Sequence, residues 1–159
     1  MGQRLTKGDV AKIEAEIEMR RVELRPKLTA AVAEAAAQGD RSENFEYYAA
    51  KRENGHNNSR IRYLERMIRT ARVIEVKETA DTVSLFDTVT IYNEMMKKEM
   101  TVRIVTTLRQ DALKGLISKE SPVGRAVLGH RAGDRVQVQM ENGSTYWLQI
   151  RSVEKGRDD

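Results

Sequence analysis

The stretch AAAQGDRSENFEYY, residues 35–48, interrupts a helical pattern with one glycine and a small knot of charge. On both sides of it apolar residues recur at helical spacing. Upstream they are Val10, Ile13, Ile17, Leu24, Leu28, Ala31 and Ala35, at steps of three, four or seven. Downstream, Tyr47, Ala50, Asn54, Asn57, Ile61, Leu64, Ile68 and Ala71 alternate steps of three and four, as a coiled-coil seam requires. If the chain folds back near residue 41, positions whose numbers sum to roughly 82 face each other across such a seam. Ile17 then meets Leu64, Ile13 meets Ile68, and Val10 meets Ala71. Two stripes that coincide on folding predict an antiparallel helical hairpin. Its first helix runs to Ala37 and its second from about Glu43 to Ile74. Arms of about 30 residues make a rod of about 45 Å, with QGDRSEN, residues 38–44, at its far end.

Local signals agree with the hairpin. Thr6 followed by Asp9 has capping-box-like spacing at the start of the first helix. Pro26 falls inside that helix and should kink it or cost an internal hydrogen bond. By the pairing rule it faces His56 and Asn57, where the second seam turns polar in NGHNNS and Gly55 weakens helix propensity. The expected arrangement is a polar layer that sets register, with Arg25 or Arg21 bonding the asparagines; a hinge in mid-rod is the alternative.

From about residue 77 the period changes to two. DTVTIYNE and EMTVRIV alternate apolar residues, so residues 87–106 read as a β-hairpin. DRVQVQMENGSTYWLQI is a second hairpin turning at Asn142-Gly143. Between them SPVGRAVLG reads as a short helix with Ser121 as N-cap, Pro122 in the first turn and Gly129 as its stop. The expected class is α+β, with a hairpin domain over residues 1–77 and a small α+β domain over residues 78–159. VKETAD, residues 76–81, is the expected junction.

Composition narrows the chemistry. The 159 residues contain no cysteine, which removes disulfides, thiolate metal sites and cysteine nucleophiles. The two histidines, His56 and His130, are far apart, and no serine has an evident histidine partner. Phosphate-binding glycine loops, the HExxH zinc motif and the GxSxG nucleophile elbow are all missing. No apolar run approaches the roughly 20 residues of a membrane span, and no signal peptide is visible. The opening MGQRLT fits a myristoylation pattern, but Thr6 has a better use as a helix cap. A net charge of +4 permits an anionic partner without establishing one. Arginine and lysine are plentiful but scattered along solvated helix faces with few interleaved aromatics, which does not resemble a stacking platform for single strands.

What remains is the acidic pair at the chain reversal. Asp40 and Glu43 have capping-box spacing, and Ser42 alone would cap the second helix. Alternatively, two hard oxygen donors at the end of a rigid rod suit Mg²⁺, the other ligands coming from a partner, since two carboxylates alone hold that ion weakly. Spacing alone favours the cap; it is the position at the end of the rod that raises the second reading.

RPKLTAAVAEAAAQGDRSENFEYYAAKRE resembles the tip of the Gre family of bacterial transcript-cleavage factors, with GDRSEN and EYYAAK as the telling segments. LISKESPVGRAVLG followed by AGDRV resembles the same family's C-terminal domain, so the likeness spans nearly the whole chain. Within the family it looks closest to the GreA branch, although GDRSEN and RIRYLE have a GreB flavour. The resemblance implies a cytoplasmic, DNA-binding transcription elongation factor with an N-terminal coiled-coil hairpin and an FKBP-like C-terminal domain. That domain would dock at the rim of the RNA polymerase secondary channel while the hairpin enters it. Asp40 and Glu43 would complete the polymerase's catalytic site, holding a shared Mg²⁺ only in the complex, for hydrolysis near the 3′ end of backtracked RNA. Ser42 and Asn44 would shape the tip. Arg41, Lys51 and Arg52 would lie near the RNA, or be simple solvated charges. Ser121, Pro122 and Val123 match the polymerase-docking loop. The protein would be an accessory factor rather than an enzyme, with no membrane partner and no small-molecule substrate. Two other classes stay open: a non-catalytic channel binder and a prolyl isomerase. The chain departs from the family at His56 and Asn57, where an aromatic and an aliphatic residue are usual.

Overall fold

The computed structural model describes residues 2–38, 44–76 and 81–158. The chain divides into two compact units. One holds Asp9–Ala71 with the residues before Arg4, and the other holds Arg4–Gly8 together with the chain from Arg72 onward. The division falls at Ala71, ahead of the stretch the sequence offers as a junction, of which residues 77–80 lie outside the described residues.

In the helical unit, α1 (Lys7–Glu18) passes through a wider π-helical stretch, Met19–Leu24, into α2 (Arg25–Ala36). The long helix α3 (Phe45–Thr70) returns antiparallel to them. The hairpin expected from the two stripes is present, and Ile13, Ile17, Ala35, Ile61, Leu64 and Met67 are its buried apolar residues. The second helix is shorter than its periodicity suggests, because at Ala71 the backbone turns extended, with ψ of 149°.

The first arm is not one continuous α-helix, and Pro26 explains why. It has no N–H to offer the Val22 carbonyl, and its ring crowds that oxygen. The Arg25 N–H instead reaches back to the Arg20 carbonyl, the i→i−5 spacing of a π turn. Beyond the turn the seam is largely in phase, with Leu28 half-buried where it is expected. Ala31, expected in the seam, is exposed, and Val32 is half-buried in its place, while Ala35 is buried as expected.

The polar layer lies beside this turn. Asn57, only 3% exposed, accepts from Arg20 Nη1 at 3.0 Å and donates from Nδ2 to the Arg20 carbonyl at 3.2 Å. Arg25 Nε donates to Asn58 Oδ1 at 3.1 Å, as one of the two expected arginines should, but Arg21 pairs with Glu65 instead. Glu16 bridges Arg20 and Arg60, with contacts of 2.7 and 2.9 Å. A buried asparagine tied to one arginine admits a single pairing of the two arms, which is how a polar seam residue fixes register.

In the second unit, β1 (Arg4–Leu5) pairs in parallel with β2 (Arg72–Val73), and Leu5 is fully buried. The main sheet holds β3 (Thr88–Asn93), β4 (Lys98–Val105), β5 (Leu116–Ser118), β6 (Arg135–Gln139) and β7 (Thr145–Glu154). Their order is β5-β4-β3-β7-β6, antiparallel except for β4 with β5. Both expected β-hairpins are there, the second turning through Gly143 at a φ of +87°. Alternate residues such as Val89, Ile91, Ile104, Val138, Leu148 and Ile150 face one core, joined by Val127 from the short helix α4 (Pro122–Val127). The result is the α+β fold expected: a helical hairpin followed by a mixed-sheet domain.

Residues beyond β7 are held by two carboxylates. Asp87, fully buried, accepts from the backbone N–H of Ser84 and Gly156 at 2.9 and 3.0 Å and from Lys155 Nζ at 2.6 Å. Asp158 accepts from the Gly8 N–H at 3.0 Å and from the Arg109 guanidinium, which stacks 4.7 Å from the Phe86 ring centroid.

Candidate functional site

The end of the hairpin is built around Asn44. Four carbonyls at the end of a helix and four N–H groups at the start of one have no partner within the helix. Asn44 serves both kinds. Its Oδ1 accepts from the Tyr47 N–H at 3.0 Å, capping α3, and its Nδ2 donates to the Ala35 carbonyl at 2.5 Å, on the last turn of α2. One side chain therefore ties the two arms together where they meet the connecting segment. The cap of α3 is Asn44, not Ser42 as the spacing alone allowed. Asp40, Arg41, Ser42 and Glu43 lie outside the described residues.

Asn44→Ala removes both bonds and is expected to cost the hairpin about 1–2 kcal/mol. The check is the thermal midpoint followed by helical circular dichroism. Asn44→Asp keeps the cap acceptor and loses the donor to Ala35, so its midpoint should fall between the two.

The first turns of α3 carry the other candidates. Lys51 Nζ sits 5.9 Å from the ring centroid of Tyr47, and Tyr47 meets Tyr48 edge-on at 5.4 Å. Arg52 is exposed. The structure thus gathers Asn44, Lys51 and Arg52 on the first two turns of one helix, next to the segment that contains the acidic pair. It also shows what linear order concealed. Phe45, Tyr48, Arg52, His56, Ser59 and Tyr63 follow one another at steps of three and four, and all are exposed. Counting the helical period on the solvent side as well as on the seam exposes this line; reading the sequence for adjacent basic and aromatic residues does not.

In the second unit, Ser121 caps α4. Its Oγ accepts from the Gly124 N–H at 3.1 Å and donates to the Ser118 carbonyl at 2.6 Å. Gly124 is required here, because a Cβ would stand 2.3 Å from that same carbonyl oxygen. Val123 packs on the sheet core, whereas Pro122 and Arg125 line a cleft of about 390 Å³ shared with Gln137 and Gln139 of β6. Ser121 and Val123 therefore shape the loop from within, and Pro122 is the member of the triplet that borders the open cleft.

Among the described residues, no cluster of three or more His, Asp or Glu side chains could hold a metal ion. No helix among them is long and apolar enough to cross a membrane.

Two family descriptions match the chain. "Transcription elongation factor, N-terminal" covers residues 3–73, and "Transcription elongation factor, GreA/GreB, C-term" covers residues 78–155. Transcription elongation factor GreA of Rhizobium etli (strain CIAT 652) is 38% identical over 141 residues, which is 88% of this chain and 89% of that protein. The GreA of Bradyrhizobium sp. (strain BTAi1 / ATCC BAA-1182) is 40% identical over the same shares. Among solved structures, the transcription factor Gfh1 aligns over 98% of this chain and 99% of its own, at 23% identity and a TM-score of 0.47.

Proposed function

Since the chain belongs to the GreA/GreB family of transcription elongation factors, we propose that it acts on bacterial RNA polymerase in the cytoplasm by stimulating cleavage of backtracked RNA near its 3′ end. The FKBP-like reading of the second unit belongs to this proposal, with Ser121, Pro122 and Val123 forming its docking loop at the rim of the secondary channel. The hairpin then enters the channel and brings Asp40 and Glu43 to the polymerase's catalytic centre.

The observation that carries the reading is Asn44. By capping α3 and holding Ala35 of the other arm, it supplies the helix start that would otherwise be the ordinary use of Asp40 and Glu43. The start of α3 then does not call on Asp40 or Glu43 as its cap.

Two carboxylates are hard oxygen donors of the kind Mg²⁺ takes, and too few to hold it alone. Asp40 and Glu43 would share the ion with the polymerase; when bound, it supplies charge neutralisation at the phosphodiester. The part of this chain is to bring the carboxylates in, keep them together on a rigid support and orient the attacking water by accepting its hydrogen bond. Arg41, Lys51 and Arg52 offer positive charge to the displaced RNA. Half of the site belongs to another protein, so the chain is an accessory factor and not an enzyme by itself.

Release of 3′-terminal RNA fragments from a purified backtracked elongation complex tests the proposal. The chain is expected to accelerate it. Binding without acceleration would make the protein a channel blocker instead.

A further inference from the structure

The outward line of α3 has a composition that neither its seam nor the acidic pair explains. Phe45 is 87% exposed and Tyr48 is 46% exposed. Leaving such rings in water forgoes burial worth roughly 1.5–3 kcal/mol each, so a partner that covers them is the natural counterpart. They stand one turn apart, and Arg52 follows one turn further on the same line. The only carboxylates of these turns, Glu46 and Glu53, are rotated by about a quarter-turn from that line. Tyr48 is not loose. Tyr47 packs edge-on against it, and the Tyr47 N–H is fixed by the Asn44 cap. Two exposed rings, one of them held by an edge contact, with a cation in line and no carboxylate on that line, match the chemistry of a single strand of nucleic acid. Its bases stack on aromatic faces and its phosphates seek arginine and lysine.

We propose that Phe45 and Tyr48 form a stacking platform for bases of single-stranded RNA, with Arg52 holding a phosphate next to the base on Tyr48. The inference rests on the function proposed above: the strand is the displaced 3′ segment of the transcript, which must pass the hairpin end to reach Asp40 and Glu43. The platform acts by positioning, keeping that segment against the helix while cleavage proceeds elsewhere. A membrane surface or an acidic peptide would satisfy Arg52 but would not require two planar rings.

The test uses full-length protein and backtracked elongation complexes whose displaced RNA carries 4-thiouridine. Irradiation should crosslink the RNA to the first turns of α3, mapped by mass spectrometry to peptides containing Phe45 or Tyr48. The Phe45→Leu/Tyr48→Leu variant should lose the crosslink and slow cleavage by more than about ten-fold, each of the two lost base–aromatic stacks being worth on the order of that factor. Phe45→Tyr/Tyr48→Phe should keep both. Neither side chain is buried, so the melting midpoint should move in the leucine variant by no more than the loss of one edge-on aromatic contact, and not at all in the other. If the protein accelerates cleavage but crosslinks elsewhere, or if the leucine variant cleaves like the unmodified protein, the platform is wrong and the function stands. Crosslinking at Phe45 and Tyr48 without accelerated cleavage would keep the platform and overturn the cleavage function. The absence of both would overturn both.

Discussion

Replacing Asp40 by Asn or Glu43 by Gln is expected to abolish most of the stimulated cleavage while leaving binding to polymerase intact. Each change keeps the size of the side chain and removes one anionic oxygen donor. Loss of a group that merely orients a metal ligand typically costs about 10–100-fold. Loss of a ligand itself should cost at least on the order of a hundred-fold. Binding should persist, because the proposed docking loop and the hairpin arms are untouched. The double variant should fall little below the worse single one, since the two carboxylates act as one unit and their effects do not add. The measurement is single-turnover cleavage at saturating factor, with binding followed separately by competition against labelled unmodified protein. Cleavage that survives in both single variants would show that the acidic pair is not the chemical contribution of this chain.

Asp87→Ala should produce the largest loss of stability in the second unit. Asp87 is fully buried and accepts from two backbone N–H groups and from Lys155. Removing the acceptor strands those N–H groups, at about 2–4 kcal/mol in total. For a unit of this size that lowers the thermal midpoint by more than about 10 °C. Burial works against ionisation of Asp87, but hydrogen bonds from Lys155, Ser84 and Gly156 outweigh it and hold the carboxyl below its usual pKa. Asp158 behaves alike: burial opposes its charge, and bonds from Thr6, Gly8 and Arg109 prevail. A depressed carboxylate pKa contributes stability that is present above the unfolded value, near 3.9, and is lost as pH falls through the folded value. The second unit should therefore lose stability as pH drops below about 4, and Asp87→Asn should flatten that dependence. A midpoint unchanged in Asp87→Ala would contradict the role given to this carboxylate.

The hairpin was legible because two seams with matching phase leave few other ways to bury Ile13, Ile17, Ile61 and Leu64. The β-hairpins were legible from alternation and from Asn142-Gly143. The π turn was not, since periodicity reports which face is buried and not how many residues the helix spends reaching it. Pro26 marked the place without fixing the outcome. The short strands β1, β2 and β5 carry two or three residues each, too few for any period. At the hairpin end the acidic pair was visible from its position. Asn44 was expected to shape the tip, but its double role depends on the distance between two arms, which no local pattern encodes. The exposed rings of Phe45 and Tyr48 were hidden for a different reason: they belong to the solvent face, where apolar residues are not normally sought.

The central claim is that this chain donates half of a metal site to another protein. Its most direct test is the dependence of cleavage rate on Mg²⁺ concentration in backtracked complexes, with and without the protein. The protein should shift half-maximal cleavage to lower Mg²⁺, and Asp40→Asn or Glu43→Gln should move it back. A protein that raised the rate at every Mg²⁺ concentration by one constant factor, or whose variants kept the shift, would contradict that claim.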